Sequence, residues 1–266
     1  MKKWFAVVLM VLLCCITCGA FAACEKVEID EIEIVAPALG EVAAGETFKL
    51  EYRTVPEEAA EKVKVNWKIS DPKRLSYKDG EFTALTCGTV TVTASVKGSS
   101  VTDEVNLTIT APAGFSGYSG TGYRLVYPSS WTAGKVGGIQ TWTAADGTTN
   151  MNVSTEELNT SYFVAAAKSY QTMIESTYDQ AGYTVNFIQP VKLTRDKYLG
   201  VKRVRVDYEY SLTYMGISSS VHQTQMIFNN ANAKLSCVLT VTFALADYDE
   251  AAQELQNKIF DQFMPV

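Results

Sequence analysis

The sequence predicts two domains, an all-β sandwich followed by an α+β domain with a mostly antiparallel sheet flanked by helices. Residues 24–110 contain only short runs in which apolar and polar residues alternate, separated by turn residues, as in a β-sandwich. In residues 123–266 such runs are interrupted by two stretches with a helical period, which indicates an α+β domain. Between them, residues 111–122 are rich in Gly, Ser and Pro and predict a short flexible linker.

Residues 1–23 have the features of an export signal. Two lysines at positions 2 and 3 precede an apolar run, residues 4–16, that is too short to span a bilayer. Residues 20–22 (AFA) fit the small-x-small pattern of ordinary signal peptidase, and cleavage there would release a secreted protein. The segment is therefore set aside as a signal peptide, and the mature chain is expected to be exported.

Residues 21–24 (FAAC) resemble a bacterial lipobox, in which the cysteine becomes the diacylated first residue of the mature protein. Phe21 departs from the Leu that usually stands three positions before that cysteine. The resemblance implies that Cys24 is lipidated and anchors the protein to the outer face of the bacterial cytoplasmic membrane. Two acyl chains suffice for stable anchoring, because each buried CH₂ contributes about 0.8 kcal/mol. The protein is instead secreted if Cys24 is not lipidated.

Charge and cysteine content narrow the functional classes. The net charge is −6, and an acidic chain without a basic face binds nucleic acid or anionic lipid headgroups poorly. Of the cysteines beyond position 24, Cys87 and Cys237 fall in different predicted domains and in alternating strand patterns. They are expected to be small buried apolar residues rather than a disulfide.

The first domain is predicted from alternation and turn residues. In residues 27–35 the alternation directs Val27 and Ile29 toward a core, and Ile32 and Ile34 are further candidates for it. Turn residues follow the strand segments, because Gly, Pro and Asp adopt turn geometry at low cost. The other predicted strand segments are TFKLEYRT (47–54), VKVNWKIS (63–70), GTVTVTASV (88–96) and EVNLTIT (104–110).

AGETFKL (44–50), VNWKISD (65–71) and DGEFTALTCGTVTVTASV (79–96) resemble, in order and spacing, the bacterial Ig-like domain of group 2. The resemblance covers about residues 27–110. It implies that Trp67 lies in the core and that glycines 80 and 88 occupy tight turns. It implies a spacer that holds the next domain off the membrane, or alternatively an adhesin that binds a surface through the Ig-like domain.

The second domain is predicted from strands, a helix, further strands and a last helix. Residues 161–180 have a helical period, and Gly182 is placed to end that helix. The last helix is predicted to open at Asp247, with Glu250 three residues on, as in a capping box. The predicted strands are residues 123–128, 138–144, 151–158, 183–188, 197–212, 220–230 and 234–245.

YRLVYPSSW (123–131) resembles the opening of the PsbP-like family, in which an aromatic-apolar strand leads to Tyr-Pro and then to Trp. The order of predicted elements is similar over about residues 115–266. The resemblance implies an α/β/α sandwich, a fold shared with a eukaryotic Ran-binding nuclear import factor. Members are mostly non-enzymatic accessory or assembly proteins, and no binding residue can be transferred by a matched motif.

The sequence offers little for catalysis, and no catalytic residue, metal site or cofactor is predicted. His222 is the one histidine, and alternation places it on the strand face of Thr224, as a packed or rim residue rather than a catalytic one. The mature chain lacks the several His or Cys ligands of a zinc site, a calcium-binding loop and a phosphate-binding loop. Asp207 and Glu209 share a strand face with two arginines, which favours a solvated ladder of cross-strand charge pairs over a catalytic dyad.

A locally basic hairpin is the candidate site for an acidic partner. Lys202, Arg203 and Arg205 are its predicted binding residues, supported by Lys192, Arg195 and Lys197. We therefore expect a non-catalytic, lipid-anchored cell-envelope protein in which an Ig-like stalk presents a binding or accessory module to an envelope protein or glycan. The alternatives are the adhesin and a carboxylate hydrolase, which would need two acids roughly 5–9.5 Å apart in a cleft.

Overall fold

The computed structural model describes residues 28–37 and 40–266. The predicted signal peptide and Cys24 lie outside these residues. The chain divides into two compact units: one contains the described residues up to Val35 with Glu51–Lys68 and Thr93–Glu104, and the other contains Ala36–Leu50, Ile69–Val92 and Val105–Val266. The second unit thus includes segments that the sequence assigned to the first domain, and the boundaries at residues 110 and 122 stay a prediction.

The first unit contains the strand pair that the N-terminal alternation predicts. Strand β1 (Glu31–Val35) pairs antiparallel with β4 (Glu51–Val55). Ile32 and Ile34 are buried as expected, whereas Val27 lies outside the described residues. Trp67 is only partly buried and lies edge-on to Tyr52, with 6.4 Å between ring centroids. The prediction of a core tryptophan is therefore met only in part.

Residues 41–110 form two further small sheets. One has the strand order β2-β9-β8-β5, with β2 and β9 parallel, and the other has the order β3-β7-β6. Gly80 lies in a turn with φ of 87°, as expected, whereas Gly88, with φ of 124°, is the first residue of a strand. The strands are β2 (Glu41–Ala43), β3 (Thr47–Phe48), β5 (Val65–Ile69), β6 (Leu75–Lys78), β7 (Glu81–Ala84), β8 (Gly88–Val96) and β9 (Thr102–Thr110).

The second unit is built on an eight-stranded antiparallel sheet with the order β12-β13-β14-β19-β18-β17-β15, in which β16 also pairs with β17. A smaller sheet has the order β10-β11-β20. The strands are β10 (Phe115–Gly120), β11 (Tyr123–Pro128), β12 (Thr132–Val136), β13 (Ile139–Thr143), β14 (Asn150–Glu157), β15 (Thr184–Phe187), β16 (Lys192–Tyr198), β17 (Val201–Tyr214), β18 (Ile217–Asn230), β19 (Leu235–Ala244) and β20 (Met264–Pro265).

Helices complete the second unit. These are α1 (Ala167–Gln180) and α2 (Glu250–Asp261), with short 3₁₀ segments at Thr160–Phe163 and Leu245–Asp247; another 3₁₀ segment, Glu57–Ala59, lies in the first unit. Tyr170 and Ile174 of α1 pack with one set of sheet residues, and Ile259 and Phe260 of α2 pack with another set. No helix in the described ranges is both long enough and apolar enough to span a membrane.

The period-two pattern of β17 separates the two cores. Val206, Tyr208 and Tyr210 belong to the core with α1, while Arg205 and Asp207 point to the side of α2. Inside the α1 core, the Tyr208 hydroxyl donates to Gln225 Oε1 at 3.2 Å. The sheet therefore presents an apolar face to α1 and a face with a charged row to α2.

The predicted fold class is wrong. We expected an α+β second domain with a helix-flanked sheet, but 54% of the residues are in strands and 16% in helices, so the described chain is mostly β. The physical reason is extent: α1 has 14 residues and α2 has 12, whereas β17 and β18 each run for 14 residues in a sheet of eight strands. Two short helices contain far fewer residues than strands of that length and number.

Local differences have local causes. Residues 115–120, assigned to a flexible linker because of their glycines and serines, form β10 and pair with β11 throughout. The predicted helix 161–180 begins only at Ala167, because Thr160–Phe163 form a 3₁₀ segment. Helix α2 begins at Glu250 with Asp249 as N-cap, two residues after the predicted cap. The strand predicted at 197–212 is divided by a turn at Leu199 and Gly200, where φ is 45° and 84°.

Candidate binding cavity

A cavity of about 550 Å³ lies in the second unit and is called the polar cavity below. It is formed by β16, β17 and β18 together with the chain that leads into α2. Its lining combines acids, bases, amides and aromatic rings. The lining residues are Gln189, Pro190, Lys192, Thr194, Asp196, Arg205, Asp207, Tyr208, Glu209, His222, Tyr248, Gln253 and Asn257.

Strand register brings the charged residues of this cavity together. Alternation along β17 puts Arg205, Asp207 and Glu209 on one face. In the antiparallel ladder Asp207 is opposite Thr224, and Glu209 is opposite His222. Directly opposite side chains of one face are near neighbours. A histidine that is isolated in sequence thus lies beside an acid 13 positions away.

Arg205 links the strand to the helix through both ends of its guanidinium. Its Nε donates to Asp207 Oδ1 at 2.9 Å and Oδ2 at 3.2 Å. Its terminal nitrogens donate to Gln256 Oε1 at 2.9 Å and to Asn257 Oδ1 at 3.0 Å. Asp207 Oδ1 also accepts from the Thr224 hydroxyl at 2.8 Å. The planar guanidinium therefore fixes α2 against β17 and neutralises the acid.

His222 is held from two sides and covered by an aromatic ring. Its Nδ1 lies 3.2 Å from Glu209 Oε1, and its Nε2 lies 3.1 Å from Thr224 Oγ1. Tyr248 stacks on the imidazole, with 3.4 Å between centroids and 9° between planes. Burial lowers the pKa of His222 from its usual value of 6.5, although Glu209 and Asp207 act in the opposite direction. The imidazole is therefore neutral and packed at pH 7, and with one ring N–H it donates to only one of these two neighbours.

The charged row follows the predicted alternation but is not a solvated ladder. Arg205 pairs with Asp207 on its own strand, and the exposed fractions of these side chains are 28% and 14%. His222 shares its face with Thr224 and is packed, which confirms the prediction for this residue. The row is covered because α2 and Tyr248 lie over it, and strand alternation alone cannot reveal such a cover.

The three predicted partner-binding residues do not form one patch. Lys202 is exposed and does not line the polar cavity, whereas Arg205 does. Arg203 is only 5% exposed and is bound by Asp196 at 2.8 Å, with its guanidinium 4.4 Å from the centroid of the Tyr198 ring. A buried and paired Arg203 is out of reach of a partner. That Lys202 and Arg205 bind an acidic partner stays a prediction.

Sequence reasoning missed the residues that α2 contributes. Gln253 and Asn257 lie four positions apart and so share a helix face toward the cavity. Tyr248 lies just before the helix and supplies the stacked ring. The i, i+4 amide pair was visible in the sequence, but nothing in it indicates which strand face that pair would meet.

Metal and disulfide chemistry are not indicated in the part of the chain that the structure describes. It contains no group of three or more His, Cys, Asp or Glu side chains placed to hold a metal ion. Cys87 and Cys237 are free thiols. Cys237 is fully buried as expected, but Cys87 is only partly buried and its thiol lies 3.5 Å from Gln262 Oε1.

Comparison with known proteins identifies no family for this chain. No family model and no curated protein matches the chain. Among solved structures it is similar to the Saccharomyces cerevisiae Ran-binding protein Mog1p, at 10% sequence identity and a TM-score of 0.37. The match covers 56% of this chain and 94% of that chain. A similarity of this size carries no argument about function, which has to come from the residues themselves.

Proposed function

We propose that this is an exported, lipid-anchored bacterial envelope protein whose second domain binds an envelope protein or glycan without catalysis. The features of residues 1–24 support export and anchoring at Cys24. The first domain serves as the stalk. The polar cavity is the binding site, and its ordered lining is the observation that carries the proposal.

The lining is preorganised, which lowers the entropic cost of binding. Arg205 is fixed by three partners, and His222 is fixed by two partners and a stacked ring. Around them, the exposed side chains of Lys192, Thr194 and Gln253 offer donors and acceptors to solvent. Fixed groups inside and free groups at the rim suit recognition of a polar ligand.

The balance of charge indicates the kind of ligand. Two basic side chains, Lys192 and Arg205, face three acids, Asp196, Asp207 and Glu209. This mixture favours hydroxyl and amide groups over a strongly charged group, because either sign meets repulsion from part of the lining. Sugar hydroxyls and peptide amides both satisfy this condition, and they correspond to the two proposed classes of partner.

Binding accounts for the carboxylates better than hydrolysis does. Asp207 is engaged by Arg205 and by Thr224, and Glu209 is engaged by His222. Acid–base catalysis by two carboxylates requires one of them to give up a proton to the substrate. In our proposal these acids hold Arg205 and His222 in place, and contact with the partner is made by the rim.

Sedimentation with native cell envelope tests the binding function. The purified chain from residue 25 onward is mixed with envelope before and after protease treatment, and the bound fraction is measured over a range of concentrations. We expect saturable binding; loss after protease identifies a protein partner, and persistence identifies a glycan. Absence of saturable binding to both preparations would contradict the proposal.

Anchoring is tested separately by the mass of the mature N-terminal peptide. Lipidation predicts a peptide that begins at Cys24 and carries a diacylglyceryl group on the thiol. An unmodified peptide beginning at Ala23 shows instead that ordinary signal peptidase cleaves the chain and that the protein is secreted.

A further inference from the structure

A second cavity of the same unit has the opposite electrostatic character to the chain as a whole. It has a volume of about 710 Å³ and is called the basic cavity below. Its charged side chains are Lys73, Arg74, Arg124, Lys202 and Asp71, and the last residue, Val266, also lines it with its main-chain carboxylate end. An excess of positive side chains is thus concentrated at one place in a protein of net charge −6.

Arg124 is the least compensated of these cations. It is 6% exposed, and its Nη2 donates to Thr86 Oγ1 at 3.0 Å. Its buried Nε has no hydrogen-bond partner among the described residues, and the guanidinium forms no ion pair there. Burial and the neighbouring Arg74 lower its pKa to about 10. A buried cation with an unused donor is costly unless an anion completes its environment.

Asp71 is engaged by other groups and forms no hydrogen bond or ion pair with Arg124. Its Oδ2 accepts from Arg74 Nε at 3.0 Å, and its Oδ1 accepts from the main-chain N–H of Lys73 at 2.9 Å. Arg74 Nη1 in turn donates to the carbonyl of Cys87 at 2.8 Å. Within the cavity, Arg74 and Asp71 thus neutralise each other and leave Arg124 and the two lysines.

The two lysines are free to reach a ligand. Lys73 and Lys202 are exposed, and neither forms an ion pair with a described residue. The turn at Leu199 and Gly200 brings β17 close to Lys73, since a Cβ built on Gly200 would lie 3.9 Å from Lys73 Cε. Flexible ammonium groups at the mouth and a fixed guanidinium inside form an arrangement that matches a multiply charged oxyanion.

We infer that the basic cavity is a binding site for a small soluble molecule with a phosphate monoester group. A phosphate monoester carries a charge of about −1.5 to −2 at pH 7 and three acceptor oxygens. Arg124, Lys73 and Lys202 line the cavity, form no ion pair with a described residue and carry N–H donors for it. The volume leaves room for an organic part besides the phosphate. This site is separate from the polar cavity and does not depend on the proposed function.

Isothermal titration calorimetry with glycerol 3-phosphate at pH 7.5 tests the inference. We expect saturable binding with one site, which competes with inorganic phosphate and is absent with glycerol or with chloride at equal ionic strength. Binding should weaken several-fold at pH 5.5, where the phosphate is a monoanion. Absence of saturable binding at pH 7.5 would overturn the inference.

Charge-removal variants locate the site. Lys73→Gln combined with Lys202→Gln changes only exposed side chains, so the fold is retained, and we expect at least tenfold weaker binding. Lys168→Gln combined with Lys258→Gln removes the same charge from exposed positions outside the cavity and should leave the affinity within twofold. Equal losses in the two double variants would show a non-specific charge effect and contradict the site.

Discussion

At the scale of single residues, His222 shows how neighbours from other elements change the pKa of a strand residue. It shares its ladder position with Glu209 and is capped by Tyr248, while Asp207, Arg205 and Thr224 complete its surroundings. Burial outweighs the two nearby acids and lowers the pKa of His222. The folded protein therefore binds a proton at this site less readily than the unfolded chain does.

The pH dependence of stability follows from this difference. Well above pH 6.5 the imidazole is neutral in both states, and its contribution to stability is fully present. As the pH falls through 6.5 and then through the lower folded pKa, the unfolded state binds the proton first and stability is lost. We expect the free energy of unfolding in urea to fall between pH 7.5 and 5.5, and to fall less in His222→Gln. Equal decreases in the two proteins would contradict this assignment.

Gly88 illustrates a position at which a side chain would displace a neighbouring one. Its φ is 124°, and a Cβ built on it would lie 1.3 Å from Arg74 Nη1, the atom that donates to the Cys87 carbonyl. Gly80, with φ of 87°, has nothing within 4 Å of its built Cβ. The two glycines share the backbone requirement and differ in the space around them.

Alanine substitutions separate the two effects. Gly80→Ala should lower the free energy of unfolding by about 1–2 kcal/mol, the cost of a left-handed conformation. Gly88→Ala should lower it by about 1–3 kcal/mol more, because Arg74 must also move. Urea denaturation of both variants measures the difference. Equal losses would show that Arg74 yields without cost.

At the scale of elements, the sequence predicts strands best where the alternation of apolar and polar residues continues over many positions. The alternation in residues 197–212 and 220–230 predicts most of β17 and β18, and the prediction that His222 and Thr224 share a strand face is confirmed. The ends of elements are less predictable. Asp247 and Asp249 are both plausible caps in sequence, and the 3₁₀ segment Leu245–Asp247 decides in favour of Asp249, whose side chain accepts from Ala252 N at 2.9 Å.

The two aspartates provide a direct test of the cap. Asp249→Ala should lower the free energy of unfolding by about 1 kcal/mol, because it leaves an amide of the first turn unsatisfied. Asp247→Ala, the matched control, should change it by less than about 0.5 kcal/mol. Chemical denaturation of the two variants gives the comparison, and a larger effect at Asp247 would favour the cap that the sequence alone suggested.

At the scale of the whole molecule, prediction fails where distant segments meet. Gln262 Nε2 donates to the carbonyl of Leu85 at 2.8 Å, and Arg124 donates to Thr86, although neither pair has a local sequence signal. The basic cavity depends on such contacts, which is why the sequence offered Lys202 but not Arg124. The mostly β character was missed for a related reason: β10 and β12 consist largely of small or polar residues, and partner strands rather than apolar alternation define them.

The most direct test of the central claim compares two threonine variants in envelope sedimentation. Thr194 is exposed on β16 and lines the polar cavity, whereas Thr184 is exposed on β15 and does not. A tyrosine at either position suits a strand, but only at position 194 does it fill the cavity. We expect Thr194→Tyr to weaken saturable binding at least tenfold and Thr184→Tyr to leave it unchanged. Wild-type binding by Thr194→Tyr would show that the polar cavity is not the binding site.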